Sequence, residues 1–124
     1  MPGCVSGAGK ARCAVSLLFA CALAVAIDGD TLRCKNVEVA NGRVRLARID
    51  APERGEAGFD AARDALAQLI DGQDVTCELV DADPRIEGFQ ERDIYGRPVA
   101  RCSAEDMDLG STLIAAGHAT TWPN

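Results

Sequence analysis

Residues 22–52 read ALAVAIDGDTLRCKNVEVANGRVRLARIDAP. An apolar run, Ala22 to Ile27, stops at Asp28-Gly29-Asp30. Asp-Gly between two strand-like segments is a strong tight-turn signal. The chain resumes as a strand from Thr31 to Val39, turns again at Asn41-Gly42, and alternates from Arg43 to Ile49. In this third strand Val44 and Leu46 share one face, and Arg45, Ala47 and Ile49 the other. Pro52 lacks a backbone donor and ends the strand. Three strands joined by two tight turns predict a meander.

Beyond Pro52 the period changes. Phe59, Ala62, Leu66 and Leu69/Ile70 recur every three or four residues, so one helical stripe faces a core. Asp71-Gly72 is a helix-stop signal. Val75 to Val80 reads as a fourth strand, Asp81 to Asp93 as a polar loop, and Pro98 to Cys102 as a fifth strand. Leu109 to Ala116 reads as a short helix ended by Gly117. This order predicts an α+β fold, mainly β: a five-stranded OB-type β-barrel with two or three helices packed on it. Such a barrel hosts many functions, so function must come from a site.

The 124 residues suffice for one domain. Residues 1–24 contain Lys10 and Arg12, no acid, and the start of an apolar run from Ala14 to Ile27. They read as an export signal or N-terminal anchor, with residues 25–124 as the domain. The apolar run is short for a transmembrane helix. The expected location is secreted or periplasmic, with a membrane tether if the leader stays uncleaved. Of six cysteines, Cys4, Cys13 and Cys21 fall in the leader. Cys77 and Cys102 lie on the fourth and fifth strands and form a reasonable disulfide in an oxidising compartment. Cys34 is then left over; three buried thiols are the alternative.

The formal charge is −6, and residues 25–124 hold all 19 acidic side chains. Taken whole, this opposes a polyanionic ligand. The distribution narrows that statement: Arg43, Arg45, Arg48 and Arg54 fall within twelve residues, and Arg97 and Arg101 join them from the fifth strand. One histidine, His118, and no Cys-x-x-Cys pair argue against structural zinc and a Ser-His-Asp triad. Gly9-Lys10 is followed by Ala11, so it is not a P-loop.

Asp30 and Asp50 fall at strand ends that a meander can bring to one rim. Paired carboxylates repel unless a cation joins them, and a hard cation such as Ca²⁺ suits carboxylate and carbonyl oxygens. Glu53, on the turn after Pro52, is placed to take a proton from water; a helix N-terminal acid is the plainer account. Arg45 sits mid-strand among apolar neighbours and needs a partner or an anion. Arg97 leaves a Tyr-Gly-Arg turn. Guanidinium forks suit a phosphate gaining charge, although a salt bridge to Asp50 or Glu53 would also satisfy either arginine.

Three segments together carry a resemblance: Ile27–Leu32, Val44-Arg45-Leu46 with Ile49–Glu53, and Asp93-Ile94-Tyr95-Gly96-Arg97. In order and spacing they resemble the signature segments of the staphylococcal nuclease (thermonuclease) family, over about Val25 to Ala119. The resemblance implies an exported Ca²⁺-dependent nuclease that hydrolyses DNA and RNA phosphodiesters and leaves 3′-phosphate ends. By position, Asp30, Asp50 and the carbonyl of Ala51 would bind Ca²⁺. Glu53 would be the general base, Arg45 and Arg97 would neutralise phosphoryl oxygens, and Tyr95 would line the nucleotide site. The expected state is a monomer with no protein partner. Four departures stand out. Ile94 occupies a place where lysine is common, the Arg54–Ala57 segment is short, and the Asp81–Asp93 loop is long. No tyrosine follows Gly117, where His118 and Trp122 stand instead. A non-catalytic nucleic-acid-binding OB module is the competing class, and a disulfide-stabilised structural domain a third.

Overall fold

The computed structural model describes residues 4–7, 10–13 and 17–123. Strands β1 (Cys4–Gly7) and β2 (Lys10–Cys13) form an antiparallel hairpin. The main sheet contains β3 (Leu18–Cys21), β4 (Val25–Asp28), β5 (Thr31–Arg33), β6 (Arg43–Leu46), β8 (Val75–Leu79) and β9 (Val99–Ala104). Between β6 and β8 lie β7 (Ile49–Asp50) and helix α1 (Phe59–Ile70). After β9 come β10 (Met107–Asp108), helix α2 (Leu109–Ala115) and β11 (Thr120–Thr121).

The sheet runs β3-β8-β9-β6-β5-β4, antiparallel except for the parallel pair β6–β9. Its two outer strands, β3 and β4, are separated in sequence only by Ala22-Leu23-Ala24. Four residue steps span at most about 14 Å. Six strands laid flat would hold those edges roughly 24 Å apart. The sheet must therefore curl until β3 and β4 share one strand position, which is a five-position OB-type wall. Lys35 N–H donates to Ala22 O at 2.8 Å, and Asn36 binds Ala20 O and Ala22 N–H across the seam.

Helix α1 buries Phe59, Ala62, Leu66 and Ile70, the expected stripe, and ends at Asp71. It presses on the Asp28-Gly29-Asp30 turn. A Cβ on Gly29 would stand 2.6 Å from Ala62 Cβ and 2.9 Å from Ala51 Cβ, so only glycine fits. The core joins Leu32, Val44, Leu46, Ile49, Leu66, Leu109 and Leu113, each almost fully buried.

Three expectations change. The second strand stops at Arg33 rather than Val39, because the chain turns over Cys34–Val37, where Val37 N–H donates to Cys34 O at 3.1 Å. The third strand does not alternate to Ile49. Arg48 takes a left-handed conformation (φ 64°), which breaks the period after Leu46. Ile49 therefore enters the main core, and Arg45 does not share a continuous face with it. Cys34 is not left over: it is bonded to Cys21, while Cys77 is bonded to Cys102. Leu18–Cys21, within the segment read as a leader, is a barrel strand paired to β8. Within that segment, residues 1–3, 8–9 and 14–16 lie outside the described residues.

Candidate active site

The parallel β6–β9 pair decides where the polar residues meet. Arg45 stands opposite Thr31 on β5 and Val99 on β9. Its N–H donates to Pro98 O at 2.9 Å, and Leu46 N–H donates to Asp30 O at 2.8 Å. Two turns distant in sequence, Gly29-Asp30 and Tyr95-Gly96-Arg97, thus flank one strand. The short β7–β11 pair adds a third contributor by placing Asp50 opposite Thr120.

Asp30 is buried, at 8% exposure. Its carboxylate accepts from Thr31 Oγ1 at 3.1 Å and from Ala51 N–H at 3.0 Å. The second bond draws the segment after β7 onto the first turn. One nitrogen of Arg45, Nη2, lies 3.8 Å from Asp30 and 3.7 Å from Asp50. Its other terminal nitrogen, Nη1, donates to Leu46 O and Ile49 O, both at 2.9 Å. Those carbonyls are turned toward the guanidinium by the Ala47-Arg48 break, so the irregularity in the strand anchors Arg45.

Arg97 does not pair with Asp50 or Glu53. Its Nε donates to Asp93 at 2.8 Å, and Nη1 reaches Thr31 Oγ1 at 3.4 Å. Asp93 also accepts from the N–H groups of Tyr95 and Arg97, both at 2.9 Å. One carboxylate thus shapes the turn and aims its arginine, while Gly96 supplies the left-handed residue (φ 79°). Tyr95 is 75% exposed, with the Arg97 guanidinium 5.2 Å from its ring centre.

Glu53 is exposed on the rim of the same cleft, with its N–H donating to Glu56 at 2.6 Å. It precedes α1 by six residues, and Asp60 is the acid in the helix's first turn. A helix-dipole role for Glu53 is therefore excluded. Ala51 engages through its N–H, on Asp30. Among the described residues no three His, Cys, Asp or Glu side chains gather as a metal cluster. The two aspartates converging on one guanidinium nitrogen are hard oxygen donors. They fit a hard divalent cation whose shell is completed by a backbone oxygen and water.

All these groups line one cleft of about 440 Å³. Five arginines reach it: Arg45, Arg48, Arg85, Arg92 and Arg97. Arg43, Arg54 and Arg101, expected nearby from the sequence, do not line it; Arg54 lies over Phe59. Arg85 and Arg92 come instead from the Asp81–Asp93 loop, which folds against the cleft. Asp81 pins that loop by accepting from Asp83 N–H and Gln90 N–H. Six carboxylates share the cleft: Asp28, Asp30, Asp50, Glu53, Asp83 and Asp93. Trp122, carried after β11, stands among the arginines, with guanidinium carbons of Arg85 at 4.9 Å and Arg45 at 5.8 Å from its ring centre. Asp93 opens the Asp93–Arg97 segment, but its anchoring role was not legible in the sequence. Arg48 belongs to the arginine cluster read from the sequence and does line the cleft, whereas Asp83 and Arg85 carried no sequence signal.

Residues 43–123 match the family described as staphylococcal nuclease homologue. The chain belongs to the staphylococcal nuclease family. The matched segment contains Arg45, Asp50, Glu53 and Arg97; Asp30 precedes it and joins through the β5–β6 register. Two curated relatives, each named "Uncharacterized endonuclease", come from Escherichia coli O157:H7 and Escherichia coli. Each is 31% identical over 94 residues, covering 75% of this chain and 54% of the relative. The chain thus spans about half the length of the curated relatives it matches. Membership of the staphylococcal nuclease family accords with the mainly β, OB-type architecture.

Proposed function

We propose that the chain is a metal-dependent nuclease acting on DNA and RNA phosphodiesters, with calcium as the cation and 3′-phosphate ends as product. The observation that carries the reading is the cleft itself, where two aspartates, two anchored arginines and a rim glutamate face one another. Its charge supports a cation requirement. Six carboxylates against five guanidinium groups leave the cleft no net attraction for phosphate. A bound divalent ion reverses that balance.

Asp30 and Asp50, with an oxygen from Ala51, would hold the ion. Bound there, calcium would supply Lewis-acid charge to the phosphate oxygens. Glu53, exposed and free of ion pairs among the described residues, accepts a proton from the attacking water. Arg45 and Arg97 are fixed before substrate arrives, so they meet developing phosphoryl charge without reorganising. Tyr95 offers an exposed ring to a base.

We also infer an exported protein. Two disulfides join the barrel strands, and such bonds persist in oxidising compartments. No helix among the described residues is long and apolar enough to cross a membrane. The direct test incubates purified chain with end-labelled single-stranded DNA, in Ca²⁺ or in EGTA, and identifies the ends formed. Cleavage only with Ca²⁺, leaving 3′-phosphates, is expected; absence of Ca²⁺-dependent cleavage refutes the reading.

A further inference from the structure

The wall of the cleft formed by the Asp81–Asp93 loop is built for a task the reaction above does not use. Asp83 holds Arg85 through two side-chain bonds, Nε–Oδ1 and Nη2–Oδ2, both 2.9 Å, and also accepts from Arg85 N–H at 3.0 Å. This is a bidentate fork, which fixes the guanidinium plane. Arg85 Nη1 takes no part in it, so a donor edge of the fixed group remains available. Arg85 is at the same time open to solvent, at 62% side-chain exposure. The Trp122 ring lies within 6 Å of both Arg85 and Arg45, so one indole spaces two cations. Arg48 lines the same wall, and its Nη1 is buried without a partner among the described residues. Arg48 and Arg85 stand against one carboxylate, Asp83, on this side of the cleft.

We propose that Arg85, held by Asp83 against Trp122, grips a second phosphodiester of a nucleic-acid strand whose neighbouring phosphate lies at Arg45 and Arg97. The inference rests on the nuclease reading and sharpens it: the preferred substrate is a chain with several phosphodiesters, not a single one. Arg45 and Arg97 are anchored to the barrel strands and turn, whereas Arg85 rides on a separate loop. Arg85 thus acts on substrate length and grip, and is a binding rather than a catalytic residue.

The test compares the full chain with Arg85→Ala and Asp83→Asn on two substrates, the dinucleotide d(TpT) and hexathymidylate. Wild type is expected to show a higher kcat/KM on the hexamer. Arg85→Ala should lose about tenfold more on the hexamer than on the dimer, through KM, because one charge-assisted phosphate contact is gone. Asp83→Asn should lose less, since the cation stays but its orientation does not. The slope of log(kcat/KM) against log salt for the hexamer should fall by about one phosphate contact in Arg85→Ala. Equal losses on both substrates, or an unchanged salt slope, would overturn the proposal. A binding arm separates it from the activity reading. Trp122 is the single tryptophan of the chain, so in the slowed Glu53→Gln background its emission reports hexathymidylate bound in Ca²⁺. Length-dependent binding weakened about tenfold by Arg85→Ala supports the subsite even if cleavage fails. Binding indifferent to length or to Arg85 refutes it.

Discussion

At the scale of single residues, the cleft separates groups that were legible from groups that were not. Glu53 was legible because Pro52 and the preceding Asp50 give it a recognisable place. Its exposed position makes Glu53→Gln a clean test, because no ion pair among the described residues is lost. Activity should fall by about 10²–10⁴, the usual contribution of a general base, with unchanged far-UV circular dichroism. A rate near wild type would remove the assignment. Arg85 was not legible, since its meaning depends on where a long polar loop folds. Its hydrogen bonds to Asp83 hold that carboxyl below the usual range and raise Arg85. A carboxyl lowered on folding contributes stability above its unfolded pKa and loses it as pH falls through its folded pKa. The orientation of Arg85 against Trp122 should therefore survive mild acid and loosen below the ordinary aspartate range. Trp122 emission followed during acid titration checks this. Asp83→Asn should abolish that transition and show the released emission already at neutral pH.

At the scale of elements, regular periods were readable and their interruptions were not. The α1 stripe announced itself because a helix facing a core must repeat every three to four residues. The β6–β7 break did not, because Arg48 is not a residue type that signals a left-handed conformation. That break supplies the Leu46 and Ile49 carbonyls that anchor Arg45, so an unreadable irregularity is what positions a readable arginine. The Gly29 turn shows the same dependence on packing. Its sequence suggested a hairpin turn, but its glycine is demanded by the α1 surface, where Ala62 and Ala51 close on the missing side chain. Gly29→Ala should push α1 off the turn and cost about 1–3 kcal/mol, the range for overpacking a tight site. Asp30 and Ala51 would shift with it, so activity should fall along with the urea midpoint. A variant with wild-type stability would show that the turn and helix yield more easily than the contacts imply.

At the scale of the whole molecule, the barrel has a seam and a cleft, and they lie at opposite ends of one hairpin. The β4–β5 turn carries Asp30 into the cleft, while the other end of β5 runs into Cys34, bonded to Cys21 at the end of β3. This bridge ties the end of β3 to the end of β5, beside the seam where β3 passes into β4. It was unreadable because Cys21 lies in an apolar stretch that also resembles a leader. A bridge across a sequence separation of 13 should stabilise by about 3 kcal/mol through the unfolded chain. Replacing Cys21 and Cys34 together by serine should therefore lower the urea midpoint, and the freed, more expanded unfolded chain should steepen the slope of unfolding. The remaining folded molecules should keep wild-type kcat/KM, because the cleft is held by Ala51 on Asp30 and by the β6–β9 pair, not by the seam. Activity should thus track the folded fraction as denaturant rises. If the double variant stays folded yet loses turnover, the seam reaches the cleft through the hairpin, and the two ends are coupled.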